Sequence, residues 1–202
     1  MTCVNYLSVS TLYGRKYRGK GDLIIELGSG NGQTLVNLAA RNAKRELYFM
    51  GIESNLSLYK ESCSLLKEND ENITFINDDF EQVISKFHNE SVSMFISVLP
   101  HPNYIGKERE FNWKNFYEIM LSKMKKYGQF LLITECTNEL LSEVTVEEYK
   151  KWRTWLISSF ESIGFIINVT VDNPPPALSS YYLSKFNNDP NRIKILTILM
   201  GK

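Results

Sequence analysis

Short apolar runs alternate along the chain with longer segments in which apolar residues recur every three or four positions. The short runs are typical of buried β-strands, and the periodic segments are typical of amphipathic α-helices. The pattern predicts strands at residues 22–27, 47–53, 73–76, 92–99, 129–135, 165–171 and 193–200. It predicts helices at residues 33–42, 55–67, 80–87, 111–126 and 147–163, and an irregular loop over 172–192.

The alternation of strands and helices predicts an α/β domain. Successive βα units favour a doubly wound, mostly parallel sheet of seven strands, and the last two strands are expected to be antiparallel. Asn55 is placed to cap the second helix. Of the 202 residues, 43% are hydrophobic and 23% are charged, as in ordinary globular proteins and unlike disordered chains. We therefore expect a basic N-terminal segment at 1–21 and a single domain at 22–202.

Charge and cysteine content restrict the possible functions. The 23 basic and 23 acidic residues balance, so any nucleic-acid binding has to come from a local patch such as Arg15, Lys16, Arg18 and Lys20. The 3 cysteines are scattered and there are only 2 histidines, which argues against a disulfide framework or a histidine-rich metal centre and favours a cytoplasmic location. No apolar run is long enough to predict a membrane helix.

A glycine-rich turn follows the first predicted strand, with the sequence Glu26-Leu27-Gly28-Ser29-Gly30-Asn31-Gly32. In an open α/β sheet, ligands bind beyond the carboxyl ends of the strands, close to such a turn. The GxGxG spacing differs from the GxGxxG of dinucleotide-binding proteins. The acid before the first glycine would repel a pyrophosphate, whereas it suits a cationic ligand. A nicotinamide-dependent dehydrogenase is therefore disfavoured.

Acidic residues also end the second and third predicted strands. Glu53 is placed to accept hydrogen bonds from ribose hydroxyls, and Asp78 or Asp79 is placed to meet an adenine amino group. Because the carboxyl ends of parallel strands share one edge of the sheet, these acids and Glu26 are expected to lie close together. Such a group of carboxylates attracts a positively charged ligand.

The glycine turn and the acids at consecutive strand ends resemble those of class I S-adenosylmethionine-dependent methyltransferases. The resemblance implies a Rossmann-like methyltransferase fold and S-adenosylmethionine as the cofactor. It places the glycines at the methionine part of the cofactor, Glu53 at the ribose and Asp79 at the adenine. The cofactor-binding residues that it implies are Glu26, Gly28, Ser29, Gly30, Gly32, Glu53, Asp78, Asp79 and Leu99.

The loop after the fourth predicted strand begins Pro100-His101-Pro102-Asn103-Tyr104, and its prolines stiffen it. His101 is a candidate to orient a methyl acceptor or to take up its proton. Together with Thr134-Glu135 after the fifth strand, this loop is similar to that of tRNA (guanine-N7)-methyltransferases. His101, Asn103 and Tyr182 stand where that family has an aspartate, a tryptophan and a guanine-holding glutamate.

This narrower resemblance implies a set of residues for catalysis and for acceptor binding. The catalytic candidates are His101 and Glu135. The candidates for substrate binding are Pro100, Pro102, Tyr104, Thr134, Ser179, Tyr181 and Tyr182, of which the tyrosines could stack on a flat heterocycle.

Three functions remain open on the sequence. The first is N-methylation of a purine-like or other small nitrogen heterocycle, which the retained cofactor motif and the altered base-holding residues favour. The second is a tRNA (guanine-N7)-methyltransferase, which the basic segment 1–21 favours. The third is a non-catalytic binding module or partner subunit with the methyltransferase fold. The expected partner is thus a small heterocycle or tRNA. The aromatic helix at 152–160 is expected to be exposed, which leaves both a monomer and a homodimer open.

Overall fold

The computed structural model describes residues 21–68, 70–138, 142–175, 178 and 181–202, so the predicted basic segment 1–21 lies almost wholly outside the described residues. The strands are β1 Asp22–Leu27, β2 Leu47–Ile52, β3 Ile73–Ile76, β4 Val92–Val98, β5 Met124–Cys136, β6 Ile166–Val171 and β7 Lys194–Gly201. The helices are α1 Gln33–Arg41, α2 Leu56–Ser64, α3 Phe80–Ser85, α4 Glu110–Lys123, α5 Val146–Ile163 and α6 Tyr181–Asn187. None of the helices in this described part is long and apolar enough to cross a membrane.

The strands form one sheet in the order β3-β2-β1-β4-β5-β7-β6. Strands β1 to β5 are all parallel to one another, whereas β7 runs antiparallel to both of its neighbours, β5 and β6. The predicted doubly wound, mostly parallel sheet with an antiparallel last strand is confirmed. Because the chain order reverses between β1 and β4, the carboxyl ends of these strands border the crevice in which ligands of such sheets bind.

The junction of α4 and β5 differs from the prediction. The helix ends at Lys123 instead of residue 126, and the strand begins at Met124 instead of residue 129. Met124 is fully buried and pairs with Val92, and the register then shifts before Gln129 pairs with Met94. The helical periodicity of 111–126 conceals this boundary, because the pairing that starts β5 involves a strand distant in the sequence.

Helix α6 lies within the predicted irregular loop 172–192, which corrects that prediction. Its Leu183 is buried and packs in an apolar cluster with Ile133 and Ile195. A helix of 7 residues is too short to display a clear apolar period, so its formation depends on this tertiary contact.

Polar side chains fix the starts of the helices that leave the carboxyl edge of the sheet. Asn55 caps α2 as predicted, since its side-chain oxygen accepts hydrogen bonds from the backbone amides of Ser57 and Leu58. Asp79 caps α3 in the same way, accepting from the amide of Glu81 at 2.7 Å. Each cap satisfies backbone donors that the first turn of a helix leaves unpaired.

Aromatic rings fill the core between the sheet and the pair α4 and α5. The rings of Trp113, Tyr117, Phe130 and Phe160 are buried there, with centroid separations of 4.9–5.7 Å between Tyr117 and the other three. Trp152 and Trp155 are partly buried against the same cluster. The expectation that the aromatic helix 152–160 is exposed is therefore wrong, because its rings complete the core and do not form a free surface.

Candidate functional site

The glycine turn after β1 has a backbone conformation that L side chains rarely adopt. Gly28, Gly30 and Gly32 have φ values of 66°, 55° and 77°. A Cβ built on Gly28 or Gly30 would meet nothing within 4 Å, so these two residues border open space. A Cβ on Gly32 would lie 2.5 Å from the ring of Phe75, so this glycine is needed for close packing. Gly32 lines neither of the two cavities described below, and its predicted contact with the cofactor stays a prediction.

Glu53 joins the end of β2 to the glycine turn. Its two carboxylate oxygens accept hydrogen bonds from the backbone amides of Gly30 and Asn55, each at 2.8 Å. The residue is only 8% exposed, yet it lines the larger of two adjoining cavities at this edge. Glu53 therefore positions the turn and also presents a negative charge to the cleft.

Glu26 is a buried acid at the bottom of the same cleft. It is 3% exposed, and its Oε2 has no hydrogen-bond partner in the described structure. Burial, together with the negative charge of Glu53, raises its pKa from 4.5 to about 8. A buried carboxyl with an unpaired oxygen is costly unless a ligand supplies the missing donor, so this site fits a cation or a hydrogen-bond donor.

Two cavities adjoin at the carboxyl edge of the sheet, with volumes of about 700 Å³ and about 360 Å³. Both are lined by Gly28, Val98, Leu99, Pro100 and His101. The larger cavity is also lined by Glu26, Ser29, Gly30, Asn31, Thr34, Glu53, Leu58, Glu61, Pro102, Glu135 and Phe186. The smaller one is also lined by Leu27, Ser54, Asp79, Phe80, Ser97, Asn103 and Tyr104. No lysine or arginine is among these described lining residues.

Only one of the two acids after β3 borders a cavity. Asp79 lines the smaller cavity, while its Oδ1 caps α3. Asp78 lines neither cavity, and its Oδ1 accepts a hydrogen bond from the amide of Asp79 at 2.8 Å. Asp78 thus supports the neighbouring acid, and its predicted contact with the cofactor stays a prediction.

The loop after β4 separates the two cavities. Leu99 has a φ of 53°, unusual for a residue with a side chain, and its amide donates to the carbonyl of Ile133 at 2.7 Å. This turn directs the chain across the cleft, so that Pro100 and His101 line both cavities. His101 is exposed, and its Nδ1 accepts a hydrogen bond from the amide of Asn103 at 3.2 Å.

Tyr104 lies beside the smaller cavity and not the larger one. Its hydroxyl donates to Glu81 at 2.7 Å, and its ring packs against Phe80 and Phe116 at centroid distances of 4.6 and 5.9 Å. These contacts place Tyr104 close to Asp79, on the side of the cleft formed by β1, β2 and β3.

Two adjacent residues of β5 have different positions. Thr134 is fully buried, lines neither cavity and has a hydroxyl without a partner in the described structure, which argues against the predicted contact with a substrate. Glu135 lines the larger cavity, and its Oε2 also lacks a described partner. Burial raises the pKa of Glu135 from 4.5 to about 7.

The other predicted substrate residues cannot be placed in the cleft. Ser179 lies outside the described residues, and Tyr181 and Tyr182 begin α6 with side chains outside the described part. The same helix instead brings Phe186 to the larger cavity. Sequence reasoning missed this residue along with Thr34, Leu58 and Glu61. The spacing of Leu183 and Phe186 by three positions is consistent with one helix face, but a single pair is too weak a signal to predict the helix.

Comparisons with known proteins give a consistent result. The sequence matches a family model described as "Putative methyltransferase" over residues 20–194. No curated protein sequence matches it significantly.

Solved structures resemble the fold over nearly the whole chain. The 16S rRNA methyltransferase KamB has a TM-score of 0.70 at 12% identity, over 99% of this chain and 96% of KamB. An antibiotic-related methyltransferase has a TM-score of 0.67 at 15% identity, over 98% of this chain and 96% of its own. The geranyl diphosphate C-methyltransferase of Streptomyces coelicolor A3(2), solved with S-adenosyl-L-homocysteine, has a TM-score of 0.60 at 12% identity. The match covers 95% of this chain and 80% of that methyltransferase.

Proposed function

This chain belongs to the methyltransferase family that it matches, with S-adenosylmethionine as its cofactor, and we propose that it methylates a ring nitrogen of a small, purine-like heterocycle. One observation carries the proposal. Apart from His101, the titratable side chains among the described residues that line the larger cavity are all acids, namely Glu26, Glu53, Glu61 and Glu135. Such a cavity suits a neutral or cationic acceptor and repels a phosphate-bearing one.

The residues of the cleft fit the cofactor. Gly28 and Gly30 leave their backbone open to it, and Glu26 offers an unpaired buried oxygen to its cationic methionine part. Each oxygen of Glu53 accepts one amide, which leaves lone pairs for the ribose hydroxyls. Asp79 lies in the adjoining cavity, where the adenine amino group would bind.

Catalysis in this cleft depends on how the acceptor nitrogen is positioned and on which residue removes the proton that the acceptor loses. When bound, S-adenosylmethionine supplies a methyl group on a positively charged sulfur. The cleft would hold the acceptor nitrogen in line with that methyl group and shield it from part of the surrounding water, which lowers the barrier to an in-line displacement that releases S-adenosylhomocysteine. Glu135 would accept a hydrogen bond from a second ring nitrogen that carries an N–H and, in its ionised form, take up that proton as methylation of the acceptor nitrogen makes the ring cationic. His101 orients the acceptor from the opposite loop.

A second candidate is methylation of a guanine in tRNA. It is supported by Lys107 and Arg109, which are exposed on the loop that follows the cleft, and by the basic residues of segment 1–21. Such contacts with phosphates would make activity strongly dependent on salt. A non-catalytic module is a third candidate, but the open glycine turn and the unpaired Glu26 and Glu135 oxygens favour a functioning site.

The test supplies methyl-labelled S-adenosylmethionine with separate pools of small heterocycles, aliphatic amines and tRNA. We expect label in the heterocycle pool, with the methyl group on a ring nitrogen by mass spectrometry and NMR. Label in tRNA that disappears at high salt would support the second candidate instead. Cofactor binding without transfer to any pool would support the binding module.

A matched pair of variants links transfer to the cleft. Glu135→Gln keeps the size of the side chain and removes its charge, and we expect a fall in kcat of at least about tenfold. Glu143→Gln changes an exposed acid outside both cavities and should leave kcat unchanged.

A further inference from the structure

Helix α6 places a single aromatic side chain in the larger cavity. Leu183 is 2% exposed and anchors the helix on the core, and Phe186 follows one turn later. Phe186 is partly buried and lines the cavity. Apart from the imidazole of His101, it is the only aromatic ring among the described residues that line this space.

The position of Phe186 is fixed by apolar contacts. It packs against the cluster of Ile133, Leu178, Leu183 and Ile195, as do Val98 and Leu99. Val98 and Leu99 line the cavity themselves, so the ring belongs to an apolar surface that continues from the end of β4 into the cleft. The hydrogen bond between the Leu99 amide and the Ile133 carbonyl ties this surface to the sheet.

This apolar surface lies across the cleft from the residues that fit the cofactor. Glu53 and the glycine turn follow β2 and β1, whereas Leu99 and Glu135 come from β4 and β5. Neighbouring strands lie about 4.8 Å apart, so β1 and β5 are separated by about 10 Å. The larger cavity therefore has room for an acceptor on the β5 side, next to Phe186 and Glu135.

A flat apolar ring and a hydrogen-bond acceptor together recognise one class of molecule. A planar heterocycle packs on an aromatic ring over its whole face, while an aliphatic amine of the same size does not. The carboxyl of Glu135 then selects an orientation with an N–H toward β5. We infer that Phe186 is the specificity-determining wall of the acceptor site and that it selects planar nitrogen heterocycles over aliphatic amines; this inference rests on the proposed function.

The test compares variants of the full-length protein that differ at this one ring. Phe186→Leu keeps apolar packing on Leu183 and removes the ring, and Phe186→Tyr keeps the ring. We expect the Leu variant to raise KM for a heterocyclic acceptor about tenfold and the Tyr variant to change it less than twofold. The affinity for S-adenosylhomocysteine should stay within twofold of wild type in both. The control is Phe111→Ala, at an aromatic side chain that is 91% exposed and lines neither cavity.

The outcomes separate this inference from the proposed function. If the wild type methylates heterocycles and Phe186→Leu leaves KM and the preference over aliphatic amines unchanged, the role of Phe186 is refuted and the function stands. A loss of S-adenosylhomocysteine binding in Phe186→Leu would also refute it, because the ring would then have a structural role. If the wild type methylates only tRNA or aliphatic amines, the proposed function fails, and the inference fails with it.

Discussion

Single acidic residues give the cleft its chemical character, and Glu26 is the most buried of them. Its pKa is raised to about 8 because burial and the charge of Glu53 both disfavour the carboxylate. The unfolded chain releases this proton near its ordinary pKa of 4.5, so the folded state binds more protons between about pH 4.5 and 8. Stability that is complete below pH 4.5 is therefore lost progressively as the pH rises through this window.

Glu26→Gln should remove part of this pH dependence. The melting temperatures of variant and wild type should nearly coincide at pH 5, and the variant should melt several degrees higher at pH 8, since each kcal/mol corresponds to about 2–4 °C in a chain of this size. Differential scanning calorimetry without cofactor measures both values. Glu118→Gln, at an exposed acid of α4, is the control. If the melting temperatures of Glu26→Gln and wild type changed in parallel with pH, the raised pKa of Glu26 would be contradicted.

Gly30 is predicted to be essential for cofactor binding for a local reason. An alanine Cβ there would enter the open cleft, and φ of 55° adds a strain of about 1–2 kcal/mol. We expect Gly30→Ala to weaken S-adenosylmethionine binding at least about tenfold by isothermal titration calorimetry. Gly164→Ala also has a strained φ, of 112°, but lies at the end of α5 away from the cleft. The control Gly164→Ala should lose a similar amount of stability and keep its affinity for S-adenosylmethionine. Equal affinities in wild type, Gly30→Ala and Gly164→Ala would refute the placement of Gly30 at the cofactor site.

At the scale of the elements, one side chain connects α4 to α5. Glu110 accepts hydrogen bonds from Trp155 Nε1 at 2.7 Å and Ser159 Oγ at 2.8 Å, and it forms an ion pair with Lys114. The hydrogen bond from Lys114, followed by those from Trp155 and Ser159, lowers its pKa to about 2 despite partial burial. This contact fixes the two helices that carry the aromatic core.

Glu110→Ala should lower the free energy of unfolding by about 2–3 kcal/mol, because two partly buried donors lose a charged acceptor. Urea denaturation followed by tryptophan fluorescence measures the change at pH 7. The contribution of Glu110 is present above its unfolded pKa of about 4.5 and is lost as the pH falls toward 2, so variant and wild type should converge in acid. Glu118→Ala on the same helix should change stability by less than about 0.5 kcal/mol. A similar loss in both variants would show that Glu110 makes no specific contribution.

At the scale of the whole molecule, the sheet collects carboxylates from distant parts of the chain. Glu26, Glu53 and Glu135 lie at the carboxyl ends of three different strands and line one cavity. Burial disfavours the ionised forms of Glu26 and Glu135, and the charge of Glu53 adds to this for Glu26, whereas a bound cation favours ionisation. The cofactor should therefore stabilise the entire domain.

Thermal melts with and without ligand test this coupling. At 100 times its Kd, S-adenosylmethionine should add about 2.7 kcal/mol and raise the melting temperature by roughly 5–10 °C. NAD, whose pyrophosphate the acids repel, should cause no shift at the same concentration. A shift with NAD and none with S-adenosylmethionine would overturn the cofactor assignment.

The sequence alone determined the order of the elements, the doubly wound sheet, the cap at Asn55 and the glycine turn that borders the cleft. These features depend on apolar periodicity and on residues close together in the chain. Only the tertiary structure decided that Asp79 and not Asp78 borders a cavity, that Gly32 packs on Phe75, and that Phe186 reaches the cleft. The raised pKa values of Glu26 and Glu135 were likewise decided by the tertiary structure alone. The physical reason is that burial and contact depend on how segments far apart in the sequence pack, and local patterns do not contain those distances.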